Sequence, residues 1–210
     1  MSLDLWLAFV AASTALIVLP GPTVLLVLSY AIAQGRRVAV ATALGVGLGD
    51  LVAMTASLLG LGAVVMASAT AFTVLKWIGA AYLFYLGVKM LRSAPDATLG
   101  RLDQDTGAVA SARRVFGHAF VVTALNPKSI GFFIAFVPHF IAPDAPLAPQ
   151  FATLIVTFAS LGTINALAYA LLAGTMRTRI ARPRVLRNMT RAGGIALVGM
   201  SALTATLRRT

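Results

Sequence analysis

No cysteine occurs among the 210 residues, which excludes disulfides, thiol redox chemistry and thiolate metal sites together. Charge is scarce as well: 11% of the residues are charged, against about 25% in a soluble domain. Acid is scarcer still, with six Asp and Glu set against 17 Lys and Arg, for a net charge of +11. No Gly-x-x-x-x-Gly-Lys-Ser/Thr loop is present, so the chain carries no recognisable ATPase of its own, and uphill work would draw on an ion gradient.

What the chain has instead is apolar surface. Hydrophobic residues make up 59% of it and the mean hydropathy is +0.90, far beyond the roughly 45–50% of a soluble domain, so the expected class is an all-α polytopic membrane protein. In a soluble chain a charge of +11 would suggest nucleic acid as a partner. Here the arginines fall almost wholly in short loops between apolar runs, where they report orientation and contact with membrane lipid. Nucleic acid is therefore not an expected partner. The N-terminus has no basic n-region, carries Asp4 and leads into a run too long for a signal peptide, so residues 3–33 are expected to stay as the first span.

Six spans are read along the chain: 3–33, 38–66, 72–92, 114–140, 150–176 and a short last one at 192–207. A single membrane domain covers 1–210, with repeat one at 1–92, a polar loop at 93–113 and repeat two at 114–210. The loops after the first, third and fifth spans hold two arginines (Arg36, Arg37), four (Arg92, Arg101, Arg113, Arg114) and six (Arg177, Arg179, Arg182, Arg184, Arg187, Arg191). The positive-inside rule places these loops in the cytoplasm and both termini outside. The terminal Arg208 and Arg209 argue against an external C-terminus.

Two spans are interrupted. Leu19-Pro20-Gly21-Pro22-Thr23 sits in the middle of the first, where two prolines remove backbone donors and the glycine frees the chain from helical geometry. Backbone of that kind is tolerated in hydrocarbon only where it is buried in protein or lines a cavity. Asn126-Pro127-Lys128 breaks the fourth span in the same way. Aligning it with Gly21-Pro22-Thr23 gives a small or amide residue, a proline and a polar residue in the same order. That is the expected trace of two inverted three-helix repeats whose broken helices 1 and 4 meet at the midplane around a site. Asn is a preferred N-cap and Pro suits the first helical position, so Asn126-Pro127 predicts a half-helix starting inside the membrane. Its free N–H groups suit an anion, here a carboxylate, and Lys128 adds a full positive charge.

Asp50 is the only acid deep in a span, about twelve residues into the second and so roughly 18 Å from its cytoplasmic end. A charge at that depth needs a partner, and Lys128 is the expected one; the pair would be structural, or Asp50 would bind a substrate ammonium or carry a proton. A carboxylate and a positive half-helix end in one cavity match a zwitterion, which suggests an amino acid. Gly45-x-x-x-Gly49 marks a helix packing face, with internal packing favoured over a dimer. Trp6 and Trp77 are expected in an outer aromatic belt. Tyr82, Tyr85 and Tyr169 read as core or as interhelical hydrogen-bonding groups, with one of them open to line the cavity; Asn165 needs a partner in the fifth span, His139 reads as interfacial, and His118 receives no role.

The chain resembles the lysine-exporter (LysE/RhtB) family of bacterial amino-acid exporters over nearly its whole length. The resemblance rests on Leu19-Pro20-Gly21-Pro22; Gly45-Val46-Gly47-Leu48-Gly49-Asp50; Trp77-Ile78-Gly79-Ala80-Ala81-Tyr82-Leu83 ending in Leu86-Gly87; and Leu125-Asn126-Pro127-Lys128 followed by Phe132-Phe133 and Phe136-Val137-Pro138-His139-Phe140. The family usually has Gln where this chain has His139. What the resemblance implies is proton-linked export of small amino acids or related metabolites across the bacterial inner membrane, by a multi-pass protein that is not an enzyme and uses no cofactor. The expected substrate site is Pro20, Gly21, Pro22, Thr23, Asp50, Asn126, Pro127 and Lys128, with Asp50 also coupling protons and a homo-oligomer open. The alternatives are a divalent metal-ion exporter and a membrane assembly factor. Two distant histidines and one buried acid fall short of a transition-metal ligand set, and no polar cluster suited to catalysis is found at the membrane surface.

Overall fold

A computed structural model describes residues 1–19, 21–94, 110–142, 145–180 and 183–206. Pro20, most of the polar loop 93–113 and Arg208 and Arg209 lie outside them. Every regular element among the described residues is helical: α1 (Leu3–Val18), α2 (Pro22–Gln34), α3 (Ala39–Ala67), α4 (Ala69–Ser93), α5 (Ala112–Ala124), α6 (Pro127–Ala135), α7 (Leu147–Ile180) and α8 (Pro183–Thr206), with short 3-10 turns at Gly35–Val38 and Val137–Phe140. Both predicted breaks are present. α1 stops at Val18 and α2 begins at Pro22; α5 stops at Ala124 and α6 begins at Pro127.

Among the described residues three stretches are long and apolar enough to cross a membrane, Pro22–Val64, Thr70–Ser93 and Leu147–Ala173. α2 is counted there because it runs on through the 3-10 turn into α3, whereas α1, α5 and α6 are each too short alone. α8 has the length, but its first turns hold Arg184, Arg187 and Arg191. Leu59, Ile164 and Ile195 are 64–65% exposed, and together with the other outward apolar side chains they form the surface expected against lipid rather than water.

Two boundaries differ from the sequence reading. The arginine-rich stretch 177–191, read as a loop, is helical on both sides of residues 181 and 182, with α7 running to Ile180 and α8 starting at Pro183. Arginine is a good helix former and proline is favoured at the first helical position, so charge marked a membrane boundary there, not the end of a helix. The turn read at 67–71 is also tighter. Ser68 alone separates α3 from α4, accepting from the Ala71 N–H at 3.2 Å as an N-cap.

The interior is unequal on the two sides of the breaks. On the side of α1 and α6, Phe9, Phe132, Phe133, Phe136, Phe140 and Phe158 form one buried aromatic cluster. Its rings meet edge to face at Phe133 and Phe158 (4.8 Å) and at Phe9 and Phe140 (5.4 Å), the geometry favoured by the ring quadrupoles. On the side of α2, Val24, Val27, Leu28 and Val46 pack with alanines of α3 and α7, among them Ala39, Ala43, Ala166, Ala170 and Ala173, in a core without the aromatic cluster of the other side. The broken segments lie between an aromatic core and an aliphatic one.

Gly45 and Gly49 of α3 face α5, where a Cβ on either would meet Ala119 or Thr123. The internal packing role expected of this pair is the one observed. Trp77 is half-exposed as expected of a belt residue, whereas Trp6 donates from Nε1 to Thr157 Oγ1 at 3.1 Å. His118, given no role, shares a 2.9 Å hydrogen bond with the Tyr30 hydroxyl, tying α5 to α2.

Candidate functional site

The two breaks are built alike and touch each other. At the first, Leu19 is extended (φ −72°, ψ 130°), as a residue before proline prefers, and Gly21 is extended (φ −134°, ψ −173°) as the N-cap of α2. At the second, Asn126 is the N-cap of α6, and its Oδ1 accepts from the Lys128 N–H at 3.0 Å. Proline occupies the first position of both half-helices, where its missing N–H costs nothing. The next N–H groups of each half-helix have no partner within the helix and leave a partial positive charge at its end. Asn126 Nδ2 donates to Thr23 Oγ1 at 3.0 Å, and the Thr123 and Thr23 hydroxyls lie 3.4 Å apart. These contacts join the ends of α2 and α6.

Lys128 is 8% exposed, and its ammonium points back at the other half of the first break. Nζ donates to the carbonyls of Leu16 (2.9 Å) and Leu19 (3.0 Å). Gly21 makes room for it, because a Cβ there would stand 3.1 Å from Nζ. From α7, Asn165 Nδ2 donates to Ile17 O at 3.3 Å and the Tyr169 hydroxyl to Val18 O at 2.9 Å. Asn165 thus has the partner it needed, and Tyr169 makes the interhelical hydrogen bond that was one of its two expected roles, capping the end of α1.

Asp50 lies on α3, 4% exposed, and no donor among the described residues hydrogen-bonds to its carboxylate. It packs onto Gly162 of α7, where a Cβ would collide with Oδ2. Asp50 and Lys128, the expected charge partners, line the same cavity and their charges interact across it, while the ammonium makes its hydrogen bonds elsewhere. The physical reason is the end of α1: its orphan carbonyls have no water to turn to, and the lysine side chain reaches them. The cavity also takes in Gly21, Thr23, Asn126 and Ser129. Ser129 is buried, and no hydrogen bond to its hydroxyl is found among the described residues. Of the expected site residues, Gly21, Thr23, Asp50, Asn126 and Lys128 come together here; Pro22 and Pro127 shape the two helix starts, and Pro20 lies outside the described residues.

Gly162 and Asn165 were not assigned to the site from sequence, and Tyr169 was only one of three tyrosines open to line the cavity. Their spacing of three and four along one apolar helix puts them on one face, which is the signal that would have found them. The cavity is small, about 30 Å³, enough for water, which needs about 10–15 Å³, and too small for an amino acid. Gly162→Val is expected to remove most export while leaving the protein in the membrane, because the added side chain pushes the Asp50 carboxylate into this space. Export and membrane abundance measured on the same cells check it.

A family model described as LysE type translocator matches residues 14–207. A homoserine/homoserine lactone efflux protein of Salmonella typhimurium is 35% identical over 211 residues, covering 99% of both chains. An uncharacterized membrane protein of Vibrio cholerae is 30% identical over 208 residues, covering 99% of this chain and all of its own. Another, from Pseudomonas aeruginosa, is 39% identical over 146 residues, 67% of this chain and 65% of its own. No solved structure matches the chain.

Proposed function

The chain belongs to the LysE type translocator family, and from that premise we propose that it exports small amino acids or related metabolites across the bacterial inner membrane, driven by proton antiport. The observation that carries this reading is a buried carboxylate, Asp50, without a hydrogen-bond partner among the described residues, in one cavity with the N-terminal ends of two half-helices. A zwitterion suits such a site. Its ammonium binds Asp50, and its carboxylate meets the free N–H groups of α2 and α6 together with the one donor that Lys128 has left after two carbonyls.

The Salmonella relative is named for two compounds that differ in an instructive way. Homoserine and its lactone share the α-ammonium, whereas only homoserine has a free carboxylate. A site anchored on Asp50 accepts both, with the lactone carbonyl taking hydrogen bonds where the carboxylate would sit. Homoserine-like compounds, neutral overall or singly cationic, are therefore the substrate class proposed here.

Transport follows alternating access, with the three basic loops facing the cytoplasm and the two halves acting as inverted repeats. In this orientation the aromatic cluster closes the outer side and the aliphatic core the inner side. A cavity of water size means that one of them must part before substrate enters. Asp50 takes the outgoing ammonium and the incoming proton in turn.

The test is efflux from bacterial cells loaded with mixed dipeptides, whose hydrolysis raises every amino acid at once. A few amino acids, homoserine among them where it is supplied, are expected to leave several-fold faster with the protein than without it. A release profile equal to that of empty cells, with the protein present in the membrane, refutes the reading.

A further inference from the structure

Four consecutive carbonyls close the C-terminal end of α1, and each is taken by a side chain from another helix. Lys128 holds Leu16 and Leu19, Asn165 holds Ile17, and Tyr169 holds Val18. A helix C-terminus carries roughly half a negative charge, and the carbonyl ends of broken transport helices are where such proteins coordinate monovalent cations. Here a primary ammonium fills that position, bound by two carbonyl oxygens at 2.9 and 3.0 Å and delivered through the gap at Gly21.

Capping alone does not call for a charge. Ile17 and Val18, between the two carbonyls in question, are capped by a neutral amide and a neutral phenol. The charge of the cavity gives the reason for a cation instead. Asp50, also buried and without a hydrogen-bonded donor among the described residues, shares the cavity with the negative end of α1, and a positive charge between them offsets both. Without Lys128, a buried carboxylate and two free carbonyls face a space vacated by a four-carbon chain and its ammonium. Oxygen ligands of that kind suit a hard cation, and a monovalent ion replaces the single positive charge that was removed.

We propose that the end of α1 is a monovalent cation site in which Lys128 is the resident cation, so that removing its side chain opens the site to an alkali-metal ion such as Na⁺. The intact chain then has no place for Na⁺ at this end, and its stability and export do not depend on it. This inference rests on the carbonyl cluster and not on what is exported.

The test is thermal unfolding of the purified full chain in detergent, in NaCl, LiCl, KCl or choline chloride at one ionic strength. Lys128→Ala is expected to melt about 3 °C or more higher in NaCl or LiCl than in choline chloride, as binding to the folded state alone requires. The intact protein and Lys128→Met, whose side chain fills the space without charge, are expected to melt at the same temperature in all four salts. A Lys128→Ala protein indifferent to the salt overturns the proposal, and so does an intact protein stabilised by Na⁺. Where Lys128→Ala does not survive purification in choline chloride, its yield in the two salts carries the comparison. Recovery in NaCl alone supports the site, and no recovery in either overturns it. Export of amino acids by the intact chain is measured separately, so failure of the cation site and failure of the transport reading are told apart.

Discussion

Asp50→Asn is expected to bring export down to the level of cells without the protein while its amount in the membrane stays close to that of the intact chain. The two halves of this expectation have separate physical grounds. A hydrogen bond to a charged group contributes about 1.5–3 kcal/mol, and losing one from the transported state lowers the rate by roughly 10- to 100-fold. The amide of Asn keeps the volume and loses the charge, so the substrate ammonium would be desolvated without an anion to meet it. Stability should hold because, among the described residues, no donor hydrogen-bonds to this carboxylate. Removing one member of a buried ion pair strands the other and is costly. Lys128 is not stranded here, since its ammonium already rests on Leu16 and Leu19. The measurement is export of homoserine and of its lactone beside membrane abundance. Loss of both compounds together points to the shared ammonium; loss of homoserine alone would move the anchor to the carboxylate end. Export retained above half of the intact level would remove Asp50 from the site.

The parts of this arrangement that were legible in the sequence are those decided by local chemistry. Pro-Gly-Pro and Asn-Pro break a helix whatever surrounds them, and an N-cap followed by proline states where the next helix starts, so both breaks stood where expected. The small-residue face at Gly45 and Gly49 was legible for the same reason. What the sequence could not convey is which of several possible partners a long side chain selects. Lys128 had a carboxylate and a set of orphan carbonyls within its range, and the choice depends on how α6 crosses α1, which no local pattern encodes. Asn165 and Tyr169 were visible as polar groups in an apolar helix, but their role needed the end of α1 to be beside them. The arginine-rich stretch misled for a different reason: it marks an edge of the membrane, and a helix can run past that edge.

Gly49→Leu is expected to keep the protein from accumulating in the membrane, and Gly49→Ala to lower both its amount and its export. A Cβ at Gly49 would lie 2.8 Å from Phe120 O and from the Thr123 Cβ, and 3.1 Å from Ala124 N. Two of these three are backbone atoms of α5, so the clash cannot be relieved by rotating a side chain; the helices must separate. Overpacking costs typically about 1–3 kcal/mol, and a leucine at a backbone-to-backbone crossing falls at the upper end or beyond. The consequence reaches the site because of what stands on either side. Asp50 follows Gly49 directly on α3, and the stretch of α5 that it touches leads through Leu125 into Asn126 and Lys128. The spacing of the carboxylate from the α6 half-helix is therefore set by the absence of a side chain at Gly49. Gly60, on the same helix, provides the contrast, since a Cβ there would meet nothing within 4 Å. Gly60→Ala is expected to leave abundance and export intact, because alanine is the better helix former. Equal tolerance of alanine and leucine at Gly49 would mean that the close crossing of α3 and α5 does not hold the site.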